Sequence, residues 1–108
     1  MGVTFKENVD DLRNSKVFDI IDKLSQISEV THIYDPLLIN KKNIEINNMK
    51  FKILRNPKLG YYDIIIISVA HDCFKNMGKN KIKMFGNKDS VIFDIKKLFK
   101  KDRRYLYL

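Results

Sequence analysis

An open, mainly parallel α/β sheet with helices on both faces is the fold class this sequence predicts, and three observations predict it. Ile64-Ile65-Ile66-Ile67 stands inside a continuous apolar run from Tyr62 to Ala70, the pattern of a strand covered on both faces of a parallel sheet. Val17, Ile20, Ile21, Leu24 and Ile27 recur at i, i+3, i+4, i+7 and i+10, a single helical stripe. Strand, helix and strand patterns succeed one another between residues 2 and 34, the size of a βαβ crossover.

Taken in order, Gly2-Val3-Thr4-Phe5 reads as the tail of a strand, because β-branched and aromatic residues dominate it. Residues 6–14 are polar and turn-like, and Asn14 or Ser15 can cap the helix that follows by accepting from its free first-turn amides. That helix runs over about 15–27, with Asp19, Asp22 and Lys23 off the apolar stripe. Val30 to Tyr34 is a short strand ended by Asp35-Pro36, where proline cannot continue a ladder. Residues 37–48 are polar and Asn/Lys-rich, a loop or a poor helix; Met49 to Leu54 alternates as a strand; Asn56-Pro57 and Gly60 mark a turn. A weaker helical region covers 72–85, Val91-Ile92-Phe93 is a buried strand ending at Asp94, and Tyr105 to Leu108 adds an edge strand. The first strand, usually central in such a sheet, holds at most five residues before the polar loop. We therefore expect one domain, residues 1–108, cut from a longer chain with its first strand truncated.

Composition narrows the function classes. The chain is 108 residues, 44% hydrophobic and 31% charged, which is globular composition. Its longest apolar stretch, Ile64 to Ala70, is far below the roughly 18 residues of a membrane helix, and MGVTFK lacks a signal-peptide core. Lys6 also breaks the myristoylation pattern. One cysteine excludes an internal disulfide and makes the cytoplasm the expected compartment. Two histidines and one cysteine are too few for a recognisable zinc site.

The net charge of +8 is uneven: residues 1–70 carry 10 basic and 9 acidic side chains, residues 71–108 carry 11 and 4. The second half could present a basic face to phosphate. Lysine supplies 17 of the 21 positive charges, beside 15 isoleucines and 10 asparagines, the usage of an AT-rich genome, so most of these lysines read as solvated surface. Tyr105 and Tyr107 near Arg103 and Arg104 are the one place where aromatics interleave with cations. Nucleic acid is therefore not the expected partner, and a small basic α/β nucleic-acid-binding or interaction module stands as the alternative.

No G-x-G-x-x-G, Walker A, H-E-x-x-H, C-x-x-C or G-x-S-x-G is present, so each associated mechanism lacks its geometry. His71 and Cys73 stand at i and i+2, which do not face each other on a helix; Cys73 reads as a core or half-buried thiol, and His32 as an exposed or satisfied strand residue. His71 follows the most apolar strand, at the end where open α/β sheets bind ligands, and is expected to neighbour a site. Asp35 resembles the ribose-holding acid of dinucleotide-binding folds, but without the glycine fingerprint strand termination explains it better. Lys6 leaves the first strand, Arg13 precedes the first helix, and Lys96 leaves another strand at the same end of a parallel sheet. Together with free helix amides these cations make a plausible phosphate site; an ordinary polar loop with Arg13 paired to Asp10 or Asp11 is the plain alternative.

Gly2-Val3-Thr4-Phe5-Lys6 and Asp11-Leu12-Arg13-Asn14-Ser15 resemble the opening of the C-terminal, UDP-binding domain of the UDP-glucose/GDP-mannose dehydrogenase family, whose pattern is roughly G-(L/V)-(A/T)-F-K, a spacer, then D-x-R-x-S. Val30 to Pro36, Tyr62 to His71 and Val91 to Lys96 follow in the family's order, so the likeness covers essentially the whole chain. The wording looks most like the branch acting on UDP-N-acetylhexosamines for bacterial capsule or O-antigen synthesis. Such enzymes use NAD to oxidise the sugar C6 alcohol to a uronic acid in two hydride transfers.

The resemblance implies a Rossmann-like fold, with Phe5 and Lys6 on the UDP-sugar and Arg13 reaching NAD. It places Lys96 on the substrate, where arginine is common, so the charge is kept and the bidentate fork lost. Asp94 is the acid of that same motif. No catalytic residue or metal ligand is implied within this chain, and Cys73 does not match the family's nucleophile. The expected partners are a UDP-sugar and NAD, without a membrane. The polypeptide alone is expected to be inactive, and the exposed edge of its shortened strand points to a homo-oligomer.

Overall fold

The computed structural model describes residues 1–3, 17–28, 30–38, 40–46, 48–99 and 105–106. Within these residues β1 (Asn43–Ile46) and β2 (Met49–Lys52) form an antiparallel hairpin. Asn48 turns it with φ 65°, a left-handed conformation that asparagine tolerates. The loop or poor helix expected over 37–48 is thus corrected: Pro36–Leu38 is one 3-10 turn and residues 43–46 are strand. The period-2 signal was there, with Ile44 buried between exposed Asn43 and Glu45, but Asn and Lys obscured it.

β3 (Tyr62–Ile67), β4 (Gly86–Asp94) and β5 (Tyr105–Leu106) form a parallel ladder in that order. Single hydrogen bonds and one bridge join the two ladders. Ile33 bridges Ile53 in parallel, and Leu54 N–H donates to the Ile33 carbonyl at 2.8 Å. Gly2 N–H donates to the Tyr34 carbonyl at 3.0 Å, and Ser68 N–H to the Met1 carbonyl at 2.9 Å. The Met1 amino group donates to the Ile66 carbonyl at 2.6 Å. Across the molecule the order is therefore 53–54, 33–34, 1–3, β3, β4, β5, the doubly wound order 3-2-1-4-5-6. Gly2 sits at φ +86°, and a Cβ there would stand 2.8 Å from Val69 Cβ, so the position requires glycine.

Two cores cover opposite faces. Val3, Ile21, Ile33, Leu38, Ile44, Phe51 and Ile53 form one, with α1 (Val17–Ile27) laid on it through Ile21, Val17 and Phe18. Ile65, Ile67, Phe74, Ile82, Phe85 and Ile92 form the other, under α2 (Asp72–Met77) and α3 (Lys79–Phe85). The helical region expected over 72–85 is these two helices, broken at Gly78, whose φ of +85° ends α2. Two expectations fail on the α1 face. Ile64 is 50% exposed and Ile27 82% exposed. Alternation sends Ile65 and Ile67 under α2 and α3, whereas α1 leaves an open groove of about 120 Å³ against Ile64 and Ile66. No helix among the described residues is long and apolar enough to cross a membrane.

Candidate functional site

The parallel order brings the ends of residues 1–3, residues 33–35, β3 and β4 to one edge. Asp35 is buried there, and Asp35 Oδ2 accepts the Val3 N–H at 2.8 Å and the Nε2–H of fully buried His71 at 3.0 Å. Its Oδ1 accepts the Leu37 N–H at 3.0 Å. Burial alone would push the Asp35 carboxyl up; the bonds from His71, Val3 and Leu37 outweigh it and hold the pKa below the usual carboxylate value. Facing this carboxylate, Nε2 is the protonated nitrogen of the His71 ring.

Asp94, also fully buried, ends β4 and turns its carboxylate on the loop that follows. Oδ1 accepts the Leu98 N–H and Oδ2 the Phe99 N–H, each at 2.9 Å, while the Asp94 carbonyl accepts the Lys97 N–H at 3.1 Å. Lys97 takes the left-handed conformation at φ 54°, and Lys96 is exposed on the same pinned turn. Phe5, Lys6 and Arg13 lie outside the described residues. Of Phe5, Lys6, Arg13 and Lys96, the described residues include Lys96, at the carboxyl edge of β4.

A cleft of about 1150 Å³ opens beside Asp35, with Lys41, Lys42, Lys52 and Arg55 in its lining. The basic character near this edge thus comes partly from the first half of the chain, whose overall balance is near neutral. NAD does not fit the described residues as a resident cofactor. Among them there is no glycine-rich turn, and Asp35, the acid that resembles a ribose holder, already accepts from Val3, Leu37 and His71. Cys73 is half-buried, and burial raises its thiol pKa, with Asp35 adding in the same direction, so it is a poor thiolate. His32 belongs to the opposite edge, where Nδ1 meets the Tyr62 hydroxyl at 2.8 Å and the ring stacks on Tyr61.

Sequence reasoning missed the Asp35–His71 pair. Both residues were placed at strand ends, but they are 36 positions apart and only the strand order puts those ends together.

The model of the UDP-glucose/GDP-mannose dehydrogenase family, UDP binding domain, matches residues 1–101. The chain belongs to this family. It is 38% identical over its full length to a UDP-N-acetyl-D-glucosamine 6-dehydrogenase of Pseudomonas aeruginosa, of which it covers 25%. It is 35% identical over 98 residues to the enzyme of the same name from Salmonella typhi, 89% of this chain and 22% of that one. Protein CapL of Staphylococcus aureus is 30% identical over 103 residues, 94% of this chain and 23% of CapL. The chain thus spans about a quarter of the length of these curated relatives. No solved structure matches it. The UDP binding domain of this family and the open α/β fold expected from its sequence agree with the parallel order described above.

Proposed function

We propose that this chain is the C-terminal UDP-sugar-binding domain of an NAD-dependent UDP-N-acetylhexosamine 6-dehydrogenase of bacterial polysaccharide synthesis, acting in the cytoplasm. The full-length alignment with a UDP-N-acetyl-D-glucosamine 6-dehydrogenase carries this reading. Phe5 and Lys6 hold the UDP-sugar, Lys96 pairs with its phosphates, and Arg13 reaches NAD held by the rest of a longer polypeptide. The pinned Lys96 turn at the carboxyl edge of the sheet supports the reading, since that edge is where open α/β sheets take nucleotides. A second copy of the chain is part of the proposal. The 108 residues alone lack the nucleophile and the NAD fold, so they bind without oxidising.

The test is an NMR titration of labelled protein with UDP. Clustered, saturable shifts at Lys6, Arg13 and Lys96 that vanish in Lys6→Ala are expected. A well-folded sample showing no shifts at millimolar UDP would refute the nucleotide site. Reduction of NAD by the pure chain with a UDP-sugar would refute its inactivity.

A further inference from the structure

Lys41, Lys42, Lys52 and Arg55 reach the cleft of about 1150 Å³ beside Asp35 from three separate stretches of chain. The backbone beneath them is fixed. The Lys41 N–H donates to the Leu38 carbonyl at 2.9 Å, the Lys42 carbonyl accepts the Ile53 N–H at 2.8 Å, and Lys52 stands opposite Asn43 in the β1–β2 hairpin. All four cations are exposed, and none is ion-paired with a carboxylate among the described residues. The one acid described in the lining, Asp35, is buried with both oxygens taken by Val3, Leu37 and His71. Beside the cations the cleft offers the amides of Asn40 and Asn56. Among the described residues it thus gathers four positive charges with no free anion to neutralise them, a grouping that works against the folded state through self-repulsion.

We infer that this cleft binds an oligophosphate, a short chain of phosphates either free or carried by a nucleotide. A single carboxylate satisfies one or two of these cations at most, whereas linked phosphates bring several charges along one short chain. The Arg55 guanidinium can grip two phosphate oxygens at once, with the lysines as point charges beside it. The asparagine amides donate to oxygens the cations leave. The volume stands at the upper end of small-molecule sites, enough for a nucleotide. The site is separate from the nucleotide edge proposed above and does not rest on it. Lys96 follows β4, three strand spacings or about 14 Å from residues 33–34, and the cleft runs outward from those residues toward 53–56, away from β4.

The test titrates the labelled full chain with inorganic tripolyphosphate and, separately, with ATP, following backbone amides by NMR. Saturable shifts clustered at residues 40–43 and 52–56 are expected with both. Affinity for tripolyphosphate at least equal to that for ATP makes the phosphate chain the whole ligand, and tighter binding of ATP makes a nucleotide its source; either supports the site. Lys52→Gln with Arg55→Gln is expected to weaken tripolyphosphate binding about tenfold or more. Both side chains are exposed, and the amide spectrum reports that the fold is kept. Lys75→Gln with Lys81→Gln removes the same charge from exposed positions on α2 and α3 and is expected to leave the affinity within about twofold. Equal weakening by the two pairs would reduce the effect to net charge and overturn the inference. Shifts that fail to saturate, or that gather at Lys96 and leave the cleft unmoved, would overturn it as well.

Discussion

The Met1 amino group offers a pH effect whose size follows from the geometry. It donates to the Ile66 carbonyl at 2.6 Å, and burial lowers its pKa from 8.0 to about 6, with Asp35 acting in the opposite sense. The unfolded chain holds this proton up to about pH 8, whereas the folded chain gives it up near 6. Between those values the unfolded state binds more protons, so stability rises with pH across the window. A two-unit difference is about 2.7 kcal/mol, imposed in full below pH 6 and well under 1 kcal/mol at pH 8. Acetylating the amino group, or adding residues ahead of it, replaces the ammonium by an amide that still donates to Ile66. At pH 5 the acetylated chain should then exceed the free chain by about 2.7 kcal/mol, a urea-midpoint difference of about 1–3 M. At pH 8 the two should nearly coincide. His32, whose pKa burial also lowers, titrates alike in both forms and cancels. Any steric effect of the acetyl group is independent of pH. An equal gap at pH 5 and pH 8 would refute the buried-ammonium reasoning.

Three further predictions concern β4 and the core beneath it. The Ser90 hydroxyl is buried without a hydrogen-bond partner, so Ser90→Ala should raise stability by about 1 kcal/mol in denaturant unfolding. Gly86→Ala would set a Cβ 2.6 Å from Ser90 Cβ and should cost about 1–3 kcal/mol, a loss that Ser90→Gly restores. Ile92→Ala empties a fully buried position under α2 and α3 and should cost about 2–5 kcal/mol, measured the same way.

Strands built on local apolar pattern were legible in the sequence. The run at Tyr62–Ile67, the strand ending at Asp94 and the helix through Val17–Ile27 all stand where periodicity puts them. β1 was not, because Asn43 and Glu45 mask an alternation that only its pairing with β2 reveals. Exposure at Ile64 and Ile27 was hidden for a related reason: a side chain's hydropathy does not say whether another element arrives to cover it. At the edge, Lys96 could be singled out by its charge after a strand. For Asp35, His71 and Asp94, what needed the fold was their partners. The Asp35–His71 pair and the bonds from Val3 and Leu37 to Asp35 and from Leu98 and Phe99 to Asp94 are not displayed by a linear pattern.

The three residues Met1–Val3 also set the order in which the chain can fold. They form the middle of the sheet, yet their partners lie at Tyr34 and at Ile66–Ser68, so the centre closes only when two segments distant in sequence return to it. Until Ser68 has left the ribosome that segment can pair on one side at most. Closing a contact across 65 positions carries a loop-closure cost that should make refolding slow for so small a domain. During that interval the apolar residues of β3 have no neighbour on one edge. Refolding yield should then fall with protein concentration more steeply than equilibrium stability would suggest.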